Sequence, residues 1–347
     1  MKVDIEERVF HFKQPAGTSR GVYTTRTSWL VTITDGQFAG VGECAPLPDL
    51  SCDSLPPHLY KEVLRRFCDQ VEQSGAIPYD QLRDYPSMLF GLETAFLALE
   101  AQQSGRGSCL FDTPFSRGEL GIPINGLVWM GSYEEMLSRM EEKLKQGFRC
   151  VKLKVGAIDF DHELELVKRI RSRFSHHDVE LRLDANGGFS PDEALYRLEL
   201  LSQYAIIHSI EQPIKQKQWA KMAELCRESP LPIALDEELI GVNDPDAKRQ
   251  LLRIIKPSYI VLKPSLHGGM MGCREWIDIA RNEGIGSWIT SALESNIGLQ
   301  SIAQFCSSVY GSHITMPQGL GTGQLFTDNI PMPLVIRGDQ LWNSANS

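Results

Sequence analysis

Five strand-like segments of the chain each end in a charged residue, and these residues recur at a nearly constant interval. The segment VKLKVG carries Lys154, and the following ones end in Asp184, Glu211, Asp236 and Lys263, each 25 to 30 residues after the one before. An interval of this length accommodates one β-strand and one α-helix. Because the carboxyl ends of the strands in a (β/α)8 barrel converge on one mouth, the spacing predicts two ammonium groups and three carboxylates around a single cavity.

The same rhythm extends over residues 119–330 and predicts a parallel barrel. Strand candidates lie at 122–129, 150–155, 180–184, 206–211, 232–236, 259–263, 286–291 and 313–316. Helix-like segments lie between them at 133–146, 161–172, 191–202, 219–227, 246–253, 273–282 and 297–307. This alternation predicts an α/β protein with a TIM-type (β/α)7β barrel as its catalytic domain.

Residues 1–118 lack this rhythm and predict a separate α+β domain. Strands are expected at 3–12, 29–34 and 37–44, and helices at 58–72 and 87–103. The polar stretch PAGTSRGVYTTRTS between the first two strands is interpreted as a lid, a binding loop or a disordered segment, since structureless loops of this length are uncommon in compact domains. The C-terminal tail, residues 331–347, is expected to pack back on this domain.

Composition excludes several classes of partner. The net charge of −9 argues against nucleic acid and anionic membranes as partners, and no apolar run has the roughly 18 residues that a membrane span needs. The N-terminus MKVDIEERVF lacks the features of a secretory signal. The eight cysteines are scattered without a CxxC pair, so reduced thiols and a cytoplasmic location are expected.

The three carboxylates predict a metal site. Asp184, Glu211 and Asp236 have no nearby His or Cys in the sequence, and an all-oxygen donor set favours Mg²⁺, with Mn²⁺ as the close alternative. A single carboxylate after a strand is commonly a helix cap or a surface charge. Three of them at the same end of consecutive strands favour a shared ion.

The lysines predict the chemistry at that ion. A proton next to a carboxylate is too weakly acidic for a side chain to remove unaided, and a divalent cation on the carboxylate stabilises the resulting enediolate. Lys154 is the better placed base, and it must be neutral to act, so Lys152 on the same strand face and the metal are expected to lower its pKa. Lys263 lies four strands further on and could act on the opposite face of the substrate.

The ordered set KLKVG, LDAN, EQP, ALDE and KPS resembles the muconate-lactonising subgroup of the enolase superfamily over essentially the whole chain. GECAPLP at 42–48 and LFGLETA at 89–95 are similar to the capping domain of that superfamily. The resemblance implies that Asp184, Glu211 and Asp236 are the metal ligands. It also implies that Lys154 is the base, that Lys263 stabilises the enediolate, and that Asn186 and Glu237 support the ligands.

Within the subgroup, SALESNIG at 291–298 and the closing GLGTG most resemble the dehydratases of the menaquinone pathway. The resemblance implies conversion of 2-succinyl-6-hydroxy-2,4-cyclohexadiene-1-carboxylate to o-succinylbenzoate by syn elimination of water. The small carboxylate substrate is then expected to contact residues near the mouth, namely Lys152, Ser291, Gly319, Gly321 and Arg20.

Other activities of the subgroup use the same machinery. A racemase of N-succinylamino acids or a dipeptide epimerase would also employ both lysines, and muconate lactonisation is a third possibility. A dipeptide epimerase usually carries Asp-x-Asp after the eighth strand, whereas this chain reads ITMPQGLGTG there. A catalytically silent barrel that binds a small acid would have lost a ligand or a lysine, and none is lost.

Overall fold

The computed structural model describes residues 1–18, 21–129, 131–156, 159–204 and 206–344. Arg20, which was predicted to contact the substrate, lies outside these residues. No helix within the described ranges is both long enough and apolar enough to traverse a membrane.

The N-terminal region is an antiparallel sheet covered by helices. Strands β1 (Lys2–Thr18), β2 (Gly21–Thr34) and β3 (Ala39–Cys44) pair in that order. The helices that follow are α1 (Pro57–Ser74), α2 (Tyr79–Leu82) and α3 (Pro86–Gln103). Alternate residues of β2 face these helices and form one hydrophobic core with them, which includes Trp29, Val31, Ile33, Tyr60, Leu64 and Phe67.

The stretch at 15–28, predicted to be a polar loop, is largely strand, and the prediction was wrong there. Ala16 pairs with Tyr23, and β2 continues without interruption to Thr34. The segment VYTTRT is rich in β-branched and aromatic residues, which favour strands even where the side chains are polar. The result is a long β1–β2 hairpin with a register shift between His11 and Ala16.

The short strand β4 (Ile122–Pro123) precedes the barrel, which alternates parallel strands with helices. The parallel strands are β5 (Gly126–Val128), β6 (Cys150–Lys154), β7 (Glu180–Asp184), β8 (Ser209–Glu211), β9 (Ile233–Leu235), β10 (Tyr259–Leu262) and β11 (Gly286–Ile289). The helices are α4 (Tyr133–Lys145), α5 (Phe160–Arg173), α6 (Pro191–Tyr204), α7 (Trp219–Glu228), α8 (Pro245–Ile255), α9 (Gly269–Asn282) and α10 (Asn296–Tyr310). The strands pair in sequence order, so the predicted fold class is confirmed. The predicted domain boundary at 118/119 falls just before β4 and stays a prediction.

The ring is closed by Gln318 and Gly319, and the predicted eighth strand at 313–316 was wrong. Gln318 bridges to Ile124 and Gly319 bridges to Thr290, so this short segment joins both edges of the sheet. Pro317 has no N–H to donate, which limits pairing before this point. A Cβ on Gly319 would lie 2.1 Å from the hydroxyl oxygen of Thr290, so the closure requires glycine.

The packing of the C-terminal tail on the N-terminal domain stays a prediction, and within the predicted bounds of that domain Asn343 Nδ2 donates to Ser116 O at 2.8 Å. The strands of the tail, β12 (Leu334–Arg337) and β13 (Gln340–Asn343), form a hairpin, and β13 pairs with β4 in a separate three-stranded sheet. Leu341, opposite Ile122, is buried in the barrel core, and this burial directs the hairpin there. The segment just before the tail contacts β1 of the N-terminal domain, because Thr327 N donates to His11 O at 2.9 Å.

Candidate active site

The five charged residues of the sequence pattern lie together at one end of the barrel. In the register of the sheet Lys154 pairs with Asp184, and Asp184 pairs with Glu211. Asp236 and Lys263 follow directly after the last residues of β9 and β10. Parallel pairing therefore brings side chains from five consecutive strands to one mouth.

Each ammonium group is paired with a carboxylate. Lys152 Nζ lies 2.8 Å from both carboxylate oxygens of Glu211 and 2.8 Å from Asp184 Oδ2. Lys154 Nζ lies 2.6 Å from Asp184 Oδ2 and 2.7 Å from Asn186 Oδ1. On the other side of the mouth, Lys263 Nζ donates to Asp236 Oδ2. These contacts set both lysines of the predicted chemistry into fixed positions.

Burial and charge act against each other at these groups. Burial alone would raise the pKa of Asp184, but Lys152 and Lys154 hold it well below its usual range. The pKa of Glu211 is raised to about 8 by burial and by the neighbouring Asp184. Burial opposes the charge of Lys263, yet Asp236 and Glu211 raise its pKa above the ordinary lysine value.

Asn186 and Glu237 link the two sides of the mouth. Asn186 Nδ2 donates to Glu237 Oε1 at 3.0 Å while its own Oδ1 accepts from Lys154, and its φ of 43° is unusual for a residue other than glycine. Burial, together with Asp236, raises the pKa of Glu237. Asp236 Oδ1 and Glu237 Oε2 are buried and have no hydrogen-bond partner among the described residues.

The unpartnered oxygens and the all-carboxylate donor set fit a hard divalent cation. In the described part of the chain, no three His, Cys, Asp or Glu side chains converge closely enough to share an ion as they stand. Two of the three carboxylates already contact Lys152, whose Nζ lies 2.8 Å from both Asp184 Oδ2 and Glu211 Oε2. The ammonium group of Lys152 therefore supplies positive charge between these two carboxylates.

The cavity above these charges has apolar walls that come from both domains. The hairpin and the segment after β3 contribute Tyr23, Leu47 and Leu50, and the barrel contributes Leu127, Trp129 and Leu293. Ser291 and Thr322 also line the cavity, and their hydroxyl oxygens are 2.6 Å apart. The cavity therefore combines a charged floor with walls suited to a carbon ring.

Comparison with known proteins identifies the family. Residues 135–337 match the family model "Enolase C-terminal domain-like", and residues 18–99 match "MenC, N-terminal domain". The o-succinylbenzoate synthase of Desulfotalea psychrophila is 45% identical, over 95% of either chain. This chain belongs to the o-succinylbenzoate synthase family of the enolase superfamily. The resemblance derived from the motifs is confirmed.

Solved structures agree with this family. The crystal structure of MenC from Desulfotalea psychrophila has a TM-score of 0.81 at 40% identity and covers 99% of both chains. The L-Ala-D/L-Glu epimerase of Bacillus subtilis is a more distant relative, 30% identical over 83% of this chain and 79% of its own. The Desulfotalea psychrophila synthase is thus the more similar of these two relatives.

Two of the predicted substrate-binding residues lie apart from the central cavity of this synthase-family chain. Gly319 and Gly321 line a neighbouring cavity, which shares Leu127, Trp129 and Thr322 with the central one. Gly319 closes the barrel, and its N–H donates to Ile289 O at 2.9 Å. The glycine-rich segment therefore contributes Thr322, not these glycines, to the central wall.

Gln212 was not predicted, although it lies in the EQP motif that was used for the resemblance. Its Oε1 accepts from the backbone N–H groups of Asp236 and Glu238, both at 3.2 Å, and its Nε2 donates to Ile214 O at 3.0 Å. Gln212 is fully buried, and its φ is 41°. It thus holds the backbone that carries Asp236. The motif could have indicated it, since a buried amide next to the predicted ligand Glu211 needs partners of its own.

Proposed function

We propose that this protein dehydrates 2-succinyl-6-hydroxy-2,4-cyclohexadiene-1-carboxylate to o-succinylbenzoate, the activity carried in the name of its family. The observation that carries the proposal is the placement of Lys154 and Lys263. Both line a single cavity, and they extend from strands that lie four positions apart in the sheet. Buried carboxylates lie beside both of them, and the apolar walls suit the ring of the substrate.

Asp184, Glu211 and Asp236 are the residues that would hold a divalent cation, Mg²⁺ or alternatively Mn²⁺. When bound, such a cation supplies positive charge beside the substrate carboxylate. The unpartnered Asp236 Oδ1 supports this assignment. Glu237 and Asn186, which line the same cavity and share a hydrogen bond, are proposed to support these ligands.

Lys154 is proposed as the general base. In its neutral form, Nζ takes the proton from the ring carbon that bears the carboxylate, and the electron pair of the broken C–H bond moves toward that carboxylate. Lys263, as an ammonium group on the other side, stabilises the negative charge that develops there. Asp184 and Asn186 fix the position of Lys154 Nζ, so the proton transfer needs little reorganisation.

The second step returns the proton from Lys154 to the departing hydroxyl group. The C–O bond breaks, its electron pair leaves with the oxygen, and water is released as the ring becomes aromatic. One base on one face of the ring serves both steps, as a syn elimination requires. Lys152 and Ser291 line the same cavity and are proposed to contact the carboxylates of the substrate.

Racemisation of an N-succinylamino acid is the second candidate, because Lys154 and Lys263 could exchange protons on opposite faces of one carbon. The 30% identity with the L-Ala-D/L-Glu epimerase of Bacillus subtilis supports this second candidate. A dipeptide substrate is less favoured, since the segment ITMPQGLGTG offers no carboxylate to an ammonium group.

A spectrophotometric turnover assay with the cyclohexadiene acid, with and without Mg²⁺, tests the proposal. We expect metal-dependent formation of o-succinylbenzoate with kcat/KM of at least ~10⁴ M⁻¹s⁻¹, the lower range of ordinary enzymes. Negligible turnover would contradict the proposal. Deuterium exchange into N-succinylamino acids would then test racemisation.

A further inference from the structure

Two buried glutamates of the N-terminal domain bind the beginnings of two barrel helices. Glu43, on β3, accepts hydrogen bonds from the backbone N–H groups of Ser295 and Gly298, each at 3.0 Å, where α10 begins. It also accepts from the hydroxyl groups of Ser295 at 2.6 Å and Ser28 at 2.7 Å. All of these donors lie in the interior, so Glu43 is tied to the barrel without contact with solvent.

Glu93, on α3, makes the equivalent contact at α9. Its two carboxylate oxygens accept from Met270 N at 2.6 Å and Met271 N at 3.0 Å. The first N–H groups of a helix have no partner within the helix, and a carboxylate there is favoured by the helix dipole. The N-terminal domain therefore supplies the N-terminal caps of two helices in the other domain.

These two helices follow the loops that carry the active site. The loop 291–295 leads into α10, and its residues Ser291, Ala292 and Leu293 line the central cavity. The loop before α9 begins at Lys263, whose N–H donates to His267 Nδ1 at 2.8 Å. Each glutamate thus holds the far end of a loop whose near end faces the substrate.

We infer that Glu43 and Glu93 are positioning residues that link the docked N-terminal domain to the two loops. Glu43 fixes the wall formed by residues 291–293, and Glu93 fixes the loop that begins with Lys263. This inference rests on the proposed function for its assay. We expect the contacts of Glu43 and Glu93 to have different kinetic effects. The loop that Glu43 holds shapes the cavity, whereas the loop that Glu93 holds carries the charge of Lys263, which is used in the reaction.

The two domains also share an ion pair that does not reach these loops, and it provides a matched control. Arg83 Nη1 lies 3.0 Å from both carboxylate oxygens of Glu275 and 3.0 Å from Asn243 O. Glu275 is in the second turn of α9, away from the N-terminal N–H groups that Glu93 binds. Arg83→Gln therefore weakens docking of the domains and leaves both helix caps in place.

The experiment compares kcat, KM and the melting temperature of the metal-loaded full-length enzyme with Glu43→Ala, Glu43→Gln, Glu93→Ala, Glu93→Gln and Arg83→Gln. We expect Glu43→Ala to raise KM about tenfold with kcat little changed, and Glu93→Ala to lower kcat about tenfold, since small misplacements of reacting groups have effects of this size or larger. The glutamine variants keep one acceptor oxygen and should recover part of each loss. If an alanine variant does not fold, the glutamine variants should still show a smaller effect of the same kind, on KM for Glu43 and on kcat for Glu93.

The inference would be overturned if kcat and KM changed equally in all variants, Arg83→Gln included, and in proportion to the loss of melting temperature. The glutamates would then have a docking role only. Failure of the proposed function is a separate result, because it is seen in the wild-type enzyme without any variant. In that case the same comparison is made on racemisation of an N-succinylamino acid. A split between the two glutamates there would still support the inference, and its absence would overturn it.

Discussion

The interior of the barrel contains two charged layers, and only the one at the mouth has the features of an active site. Strand β7 contributes to both, because Arg182 and Asp184 point to the same face two residues apart. In the lower layer Arg182 is 1% exposed, donates through Nε to Glu180 at 2.8 Å and through Nη1 to Pro317 O at 2.8 Å, and lies over the Trp288 ring.

The upper layer differs in its partners and its surroundings. Its lysines contact carboxylates and an amide oxygen beside a cavity, and two carboxylate oxygens lack partners among the described residues. The lower layer is filled by aromatic rings, with Tyr259 5.5 Å from Trp288 between centroids. A buried charge is therefore not evidence of catalysis by itself, and the adjoining cavity distinguishes the upper layer from the lower one.

The largest expected effect is that of Lys154→Ala in the upper layer. Loss of the general base should reduce kcat by about 10²–10⁴-fold or more, while metal binding is retained. Single-turnover kinetics and a metal titration by calorimetry measure both. Residual activity within tenfold of the wild type would contradict a mechanism with a single base.

Asp236→Asn should have the next largest effect, on the dependence of activity on Mg²⁺. The amide keeps the size of the side chain but removes one negative charge from the proposed ligand set, so the concentration of Mg²⁺ for half-maximal activity should rise at least ~10-fold. The measurement is a Mg²⁺ titration of the dehydration rate. An unchanged titration would remove Asp236 from the ligand set.

Arg182→Met tests the lower layer, with Lys152→Met as the matched change in the upper one. Removal of Arg182 leaves Glu180, whose side chain is 33% exposed, without its buried cation, and the free energy of unfolding should fall by about 1–3 kcal/mol. Activity per folded molecule should stay within about twofold, since Arg182 does not line the cavity. Lys152→Met should instead abolish most of the turnover. The measurements are urea unfolding and kcat on both variants. Similar losses of kcat in the two would contradict the distinction between a structural lower layer and a catalytic upper layer.

The smallest expected effect is a pH dependence in the lower layer. Burial, and next the charge of Arg182, lower the pKa of His208, whose ring stacks on Tyr259. The unfolded chain therefore binds a proton at this residue, near the ordinary pKa of about 6.5, before the folded protein does. The free energy of unfolding of the wild type should fall as the pH drops below that value. The free energy of unfolding of the His208→Gln variant should fall less over the same pH range. Urea titrations at several pH values measure the difference, and parallel pH curves for the two proteins would contradict it.

The sequence predicts the upper layer better than it predicts the barrel around it. The spacing of Lys154, Asp184, Glu211, Asp236 and Lys263 brings all five to one mouth because parallel pairing leaves little freedom in register. The family and its fold follow from the same motifs. Domain contacts are harder to predict, as Glu43 shows: the GEC motif was noticed, but its partner is 252 residues away in Ser295.

The remaining errors have physical causes. The eighth strand could not be located from periodicity, because its pairing involves only Gln318 and Gly319 on the two edges. The pairing of the tail hairpin with β4 was not predicted, because the burial of Leu341 against Ile122 depends on a three-dimensional contact between distant segments. Substrate contact by Gly319 and Gly321, implied by resemblance, stays a prediction, and the close approach of Thr290 to Gly319 is a separate steric requirement of the closure.

The closure at Gln318 and Gly319 also limits how the enzyme can evolve. Gln318 Oε1 accepts from Ile289 N at 2.8 Å, its Nε2 donates to Met316 O at 2.7 Å, and Thr322 in the cavity wall is only four residues further on. Mutations in this segment therefore change barrel integrity and substrate contact together. Tyr23, Leu47 and Leu50 border the same cavity from outside the ring. A mutant library aimed at new substrates should yield more folded, active clones when it varies those three positions than when it varies 318–322.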